Sequence, residues 1–410
     1  MSITRKAPLW LLVLITISGT LAMHMFVPAL PDAGVALGVG SATMQMTVSL
    51  YIIGLAFGQL IYGPLSDGLG RRPLLLVGLS LYTVAGLVAA LAPNADTLIV
   101  ARLFQALGGC AGLALGRAMV RDTGAADDAV RDLALLNLMI MIGPGLAPLL
   151  GSLVTGVLGW RAVFVVLALL GGLTLVCAWR LLPETSQPSG HVSPRALAHD
   201  YRMLLSSPRF LGFAIGGGFA TTSIYAFIAA GPFLFTHELH RPLHEVGLYL
   251  GGVVIGMSLG NLLTRRLIRK VSINRLLLCG SAISLSSVLV MLAIVLLGQL
   301  TLAHVLLCML LFTFGAGLAS PASMTKALSV DTHLIGSAAG LYGFSQMAAG
   351  ALCTFAVGLI ANPALAAASV LAGGSLIGLA GFYVALRYEA TMARPRTALE
   401  DSQPVPGTSH

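Results

Sequence analysis

Gly63, Pro64, Leu65, Ser66, Asp67, Gly68, Leu69, Gly70, Arg71, Arg72 and Pro73 form the stretch on which the reading of this fold turns. It joins two long apolar runs, so its polar residues fall in a short connection. Two glycines permit a tight reversal of the chain. Asp67 can pair with Arg71 or face the positive N-terminal end of another helix. A turn with basic residues accounts for Arg71 and Arg72, but not for the aspartate and the glycines together. The pattern predicts a charge latch that forms when one end of a helical bundle is closed.

The apolar runs on either side are part of a series. Of 410 residues, 57% are hydrophobic and 9% charged, whereas soluble domains are about a quarter charged. No soluble fold hides that much apolar surface. A hydrocarbon core about 30 Å thick needs about 20 apolar residues per helix, and runs of that size recur. They cover residues 8–27, 43–64, 74–92, 97–119, 132–156, 161–181, 210–235, 245–267, 275–297, 300–321, 335–358 and 364–386. The first follows Arg5 and Lys6 as a signal peptide would, but the equally long runs behind it identify it as a helix of the mature chain. The expected class is an all-α membrane protein of twelve transmembrane helices.

Basic residues set the orientation, because short basic loops resist translocation. With the N-terminus in the cytoplasm, Arg71, Arg72, Arg121, Arg131, the 195–209 stretch, 265–270, Lys326 and 387–396 all lie inside, leaving Arg161 and Arg241 outside. Both termini are therefore expected in the cytoplasm, with the chain in an inner (cytoplasmic) membrane. The formal charge of +8 does not indicate nucleic acid, since the basic residues are sparse and sit between apolar runs. Cys110, Cys177, Cys279, Cys308 and Cys353 fall inside apolar segments without paired spacing and read as reduced packing residues. A polar, proline-rich interruption divides the spans six and six. The expected division is a bundle at 1–182, a cytoplasmic linker at 183–209, a second bundle at 210–389 and a disordered tail at 390–410.

The opening stretch resembles the G-x-L-a-D-r-x-G-r-r signature of the major facilitator superfamily. In the fourth span, Arg102, Gln105, Gly108 and Gly109 are similar to its R-x-x-Q-G pattern, with Ala106 at a position usually held by glycine. Arg117, Ala118, Met119, Val120, Arg121 and Asp122 resemble a run of the Bcr/CflA-type drug exporters, and so do Met25 to Pro31. Gly143, Pro144, Gly145, Leu146, Ala147, Pro148, Leu149, Leu150 and Gly151 look like the antiporter motif of that branch. The resemblance covers essentially the whole chain. It implies two pseudo-symmetric six-helix bundles and proton-coupled antiport that exports small drug-like molecules. It also gathers Gly63, Asp67, Gly70, Arg71, Arg121 and Asp122 into one cytoplasmic gate cluster. Prolines bend the fifth span while Gly143, Gly151 and Gly156 let a neighbour approach, which suits a seam between moving halves.

The chain departs from the family at position 24, where His24 replaces the acidic residue expected before Met25. No Asp or Glu lies near the middle of any span, which leaves His24 and Arg102 as the interior ionisable groups. An arginine inside a span should face a polar cavity or a partner. His24 is then either the proton carrier, biased by Arg102, or an interfacial histidine held by hydrogen bonds. A cavity without a carboxylate gives a lipophilic cation nothing to offset its desolvation, so neutral, zwitterionic or anionic substrates are expected. Gln45, Tyr51, Gln59, Asn137, Tyr225, Asn261 and Gln346 are the candidates to line that cavity, or alternatively to pack helices.

Several classes are excluded. There is no Walker lysine loop, no cofactor motif and no nucleophile or H-E-x-x-H set, so the chain reads as no enzyme and as needing no cofactor. His237, His240 and His244 match no established metal spacing. Expected partners are protons, a small-molecule substrate and the bilayer, with the chain acting as a monomer. The competing reading is a metabolite exporter or uptake symporter of the same fold.

Overall fold

The computed structural model describes residues 7–123, 143, 145–185, 194–267, 270–331 and 334–400. At Asp67, Arg121, Thr123, Pro194, Ala196, Ile335 and 392–400 it describes the backbone alone. The described residues form fifteen helices and no strand. They are α1 Leu9–Met25, α2 Leu30–Leu37, α3 Ser41–Leu69, α4 Arg71–Ala90, α5 Ala95–Thr123, α6 Gly145–Leu158, α7 Trp160–Leu181, α8 Pro194–Leu205, α9 Pro208–Thr222, α10 Ile224–Phe233, α11 Leu243–Leu267, α12 Ile273–Leu296, α13 Leu302–Leu328, α14 Ile335–Gly358 and α15 Pro363–Glu400. A 3-10 turn, Val27–Ala29, links α1 to α2, and a π-helical turn, Leu234–Glu238, extends α10.

Ten runs are long and apolar enough to cross a membrane, with α1–α2 and α9–α10 each counting as one. The apolar α6 is the described part of the fifth expected span, and the 24-residue α14 is the eleventh. Side chains such as Leu87, Leu169, Leu259 and Leu297 point outward and stay exposed. In water that would be costly, but in lipid it is the expected arrangement.

The two halves repeat one packing plan. In the first, α3 and α4 pack on α5, α4 on α7, and α1 on both α5 and α7. In the second, α11 and α12 pack on α13, α12 on α15, and α9 on both α13 and α15. Helix ends follow local chemistry: Ser207, Ser272 and Thr301 accept from the backbone N–H three residues on. Gly159, at φ 84, turns the chain sharply from α6 into α7, a conformation that favours glycine.

Three sequence expectations need correction. The signature stretch is not a loop: α3 runs through Leu69, and the whole reversal falls on Gly70 at φ 96. Gly63 and Gly68 lie within the helix, where Ser66 bonds back to the Gly63 carbonyl at 2.7 Å instead of breaking it. The linker contains α8, whose apolar and polar residues alternate at helical spacing and dock one face on the bundle. Finally, α15 continues to Glu400, past the boundary drawn where its apolar face ends, because Ala390, Met392, Ala393, Arg394, Ala398 and Leu399 are good helix formers. Residues 401–410 lie outside the described residues.

Candidate functional site: a buried arginine and the seam between halves

Arg102 is fully buried at the centre of the first half. Its Nη1 donates to the Ala22 carbonyl and to Gln105 Oε1, each at 2.8 Å. The Tyr51 ring lies 4.0 Å from the guanidinium carbon, with Phe26 at 5.7 Å and Phe164 at 5.8 Å. Such faces attract a cation by about 0.5–2 kcal/mol each, without neutralising it. Tyr51 donates to the Gly19 carbonyl at 2.8 Å, and Tyr82 to the Ser18 carbonyl at 3.1 Å. Side chains from α3, α4 and α5 therefore converge on the last turns of α1.

His24 sits in those last turns, buried and within the field of Arg102. Its ring lies 6.2 Å from that of Tyr225, in the opposite half. Both spans that meet here are interrupted, α1 after Met25 and the seventh span at Ser223, two residues before Tyr225. Broken helices at this depth are tolerated where they line a cavity or are covered by protein.

Backbone contact at glycines forms the seam. A Cβ on Gly151 would collide with the Met25 carbonyl, and one on Gly143 would lie 2.9 Å from Thr20 Oγ1. On its other side α6 meets α11: a Cβ on Gly251 would strike the Gly145 carbonyl, and one on Gly247 the Pro148 carbonyl. The fifth-span residues Gly143, Gly145, Pro148 and Gly151 thus lie between α1 and the second half, while Pro144 lies outside the described residues. Elsewhere α3 packs along α14, with Gln59 against Gly343 and Gln45 beside Gly358.

The basic end of the first half holds a charge cluster. Arg71 Nε meets Asp122 Oδ2 at 3.2 Å, and Arg71 also bonds Ser66. Thr185 donates to Asp122 at 3.3 Å. The side chains of Asp67 and Arg121 lie outside the described residues. Sequence reasoning missed Glu184, which accepts from the backbone N–H groups of Arg71 at 2.9 Å and Arg72 at 3.1 Å. It caps the N-terminus of α4 from the far end of α7, and an acid in that position carries both a hydrogen-bonding and a dipole benefit. Its place in a proline-rich stretch hid it. In the linker, Tyr201 donates to the Leu60 carbonyl at 3.3 Å and Asp200 accepts from Ser337 at 3.0 Å, so α8 straps α3 to α14. Burial, with Asp200 adding to it, holds the Tyr201 phenol above its usual range.

The remaining cavity candidates divide. Gln346 Nε2 donates to Thr221 at 3.0 Å, and Tyr225 packs on Gly350, both between the seventh and eleventh spans. Gln45 lines a 310 Å³ groove with Asp96 and Phe355 at the far end of α3. The Asn261 backbone packs against Gly317 as part of the α11–α13 contact. Asn137 lies outside the described residues. Among the described residues, no group of three or more His, Cys, Asp or Glu could hold a metal ion.

Comparison with known proteins agrees with this architecture. The model of the Major Facilitator Superfamily matches residues 12–354. The chain is 25% identical over 334 residues to a bicyclomycin resistance protein homolog of Haemophilus influenzae, covering 80% of this chain and 83% of that protein. It is 28% identical over 341 residues to the multidrug transporter MdfA of Yersinia pestis, covering 82% of each. The crystal structure of a D-xylose–proton symporter superposes with a TM-score of 0.71 at 14% identity, covering 91% of this chain and 96% of that one.

Proposed function

This chain belongs to the Major Facilitator Superfamily and is a membrane transporter rather than an enzyme, and from that premise we propose that it is a proton-coupled antiporter exporting small drug-like molecules by alternating access. Relatives named for bicyclomycin resistance and multidrug transport support the export of drugs. The observation that carries the coupling is the His24–Arg102 pair, two buried ionisable groups beside the break of the first span. His24 carries the proton and Arg102 biases its release. The bundles at 1–182 and 210–389 rock about the glycine contacts of α6 with α11, and the Arg71–Asp122–Glu184 cluster, with Asp67 and Arg121, secures the cytoplasmic side. Both termini face the cytoplasm, by the distribution of basic residues, and the unit is a monomer in the inner membrane.

One proton supplies about 2.3 kcal/mol per 100 mV and about 1.4 kcal/mol per pH unit. That exceeds the roughly 2.8 kcal/mol of a hundredfold concentration gradient. Neutral, zwitterionic and anionic substrates are preferred, because no described Asp or Glu lies near the middle of a membrane span.

A second reading, symport, rests on the same pair. Protonated His24 beside Arg102 would draw an anion into the site together with the proton. Inverted vesicles with an imposed inward-acid gradient separate the two. Antiport predicts accumulation of substrate with dissipation of the gradient; symport predicts substrate leaving together with protons, and an unaltered gradient contradicts both.

A further inference from the structure

Arg102 uses one nitrogen of its guanidinium for hydrogen bonds and leaves the other two unused. Nη1 takes both acceptors, Ala22 O and Gln105 Oε1, whereas Nε and Nη2 are buried and have no hydrogen-bond partner among the described residues. The side chain is 0% exposed. Nε–H and the adjacent Nη2–H lie parallel in one plane, the fork that fits a carboxylate with two hydrogen bonds. A buried polar group without a partner is costly, and a charged one more so. A third donor nearby on α5, Gln105 Nε2, is likewise buried and without a partner among the described residues. Donors outnumber acceptors at this place.

The surroundings fix the ligand class. Tyr51, Phe26 and Phe164 cover the guanidinium with aromatic carbon. These rings hold the cation and exclude water, but they accept nothing in the plane of the fork. His24 and the phenols of Tyr51 and Tyr82 are the other titratable groups of this cluster, and both phenols already donate to α1 carbonyls. No carboxylate of the described residues lies in the interior of a span to fill the fork. Phe26, at the break in the first span, and Tyr225, just past the break in the seventh, stand where parting of the halves would open a path to it.

We propose that the Nε/Nη2 edge of Arg102 is the receptor for a carboxylate carried by the transported molecule, which makes amphipathic carboxylates and zwitterions the substrate class. This rests on the first, fourth and seventh spans lining the transport site. The substrate brings the acid that the chain lacks, and its apolar body lies against Phe26, Tyr51 and Tyr225. A small inorganic anion has the same chemistry at the fork, and the test separates it.

The probes are 1-pyrenebutyrate and its primary amide, alike in shape and differing in charge. Trp160, 6.4 Å from Phe26, provides an energy-transfer donor for equilibrium binding once Trp10 and Trp179 are replaced by Phe. The acid is expected to bind about tenfold more tightly than the amide, the worth of a charged hydrogen bond. Arg102→Lys keeps the charge and loses the fork, so it should lower the acid's affinity more than the amide's and shrink the difference between the two. Equal binding of acid and amide to the wild type overturns the proposal, and that comparison stands even if the lysine variant fails to fold. Displacement of the acid and the amide alike by chloride would assign the fork to inorganic anions and overturn it as well. Export of the amide alone from energised vesicles would leave the transporter reading in place and remove this one. Export of neither probe nor of any neutral drug would remove the proposed drug-export function itself.

Discussion

The two halves share a packing plan and differ in what lies at its centre. The first half buries a cation: Arg102 sits among Tyr51, Phe26 and Phe164 and is tethered to the end of α1. The second half closes its centre with hydroxyls on backbone carbonyls, Thr313 to Val253 at 2.9 Å, Ser284 to Phe312 at 2.8 Å and Ser287 to Cys308 at 2.5 Å. Hydroxyl clamps satisfy both partners and hold helices together at about 0.6–2 kcal/mol apiece. A buried charge is a poor way to hold helices together, so its presence, among the described residues, in one half alone points to use. The same contrast recurs at the basic ends. Each bundle's last span leads to a glutamate: Glu184 caps a helix N-terminus, whereas Glu389 pairs with Arg209 and Lys326, both at 2.9 Å.

The largest effect should come from the two centres. Arg102→Ala is expected to abolish transport and to lower stability by about 3 kcal/mol, since it removes two buried hydrogen bonds and the stacked cation. Thr313→Val should cost about 1 kcal/mol and leave transport within about twofold, as one interhelical hydrogen bond predicts. Denaturation in detergent alongside proteoliposome flux reads both, and equal losses in the two variants would erase the distinction between halves.

The seam comes next. Gly151→Val and Gly251→Val each place a methyl group on a backbone carbonyl and should cut transport to below about a tenth, with a stability loss of about 1–3 kcal/mol. Gly156→Ala is the control, because a Cβ there meets open space. Resistance of expressing cells to a drug panel is a sufficient readout.

Smaller effects belong to the basic ends. Glu184→Gln should cost about 1 kcal/mol through the lost charge at the α4 N-terminus. Glu389→Gln acts on pairs whose side chains are 16–30% exposed, worth about 0.2–1 kcal/mol each and weakened by salt. A Glu389→Gln variant more damaging than Glu184→Gln, and insensitive to salt, would reverse the assignment. The smallest change is expected at the strap. Tyr201→Phe removes one long, part-buried hydrogen bond, worth about 0.5 kcal/mol. Because the Tyr201 phenol is held above its usual range in the folded protein, its contribution is fully present below about pH 10, the ordinary tyrosine value, and is lost only as pH rises through the higher folded value.

Apolar periodicity made the spans legible, and the signature stretch made the family legible. Other features were not. Glu184 looks like a linker acid in sequence, and only the fold brings it against the start of α4, more than a hundred residues earlier in the chain. Ser66 to Leu69 read as loop because glycine and proline flank them, yet backbone pairing with the rest of α3 outweighs those breakers. Arg102 was visible as an anomaly inside an apolar run, but not its aromatic cover, because Phe26, Tyr51 and Phe164 come from three separate helices. Which residues line the cavity is not legible, because the face a polar residue presents is set by packing between helices, as Gln45 beside Phe355 and the Asn261 backbone against Gly317 illustrate.

The most direct measurement is flux in proteoliposomes under an imposed pH gradient, comparing His24→Ala with Ser284→Ala from the opposite centre. Loss of gradient-stimulated transport in the first and its survival in the second is the predicted result. Full stimulation in the His24 variant would contradict it, because no other described interior group of the first half could then be carrying the proton while Arg102 stays charged.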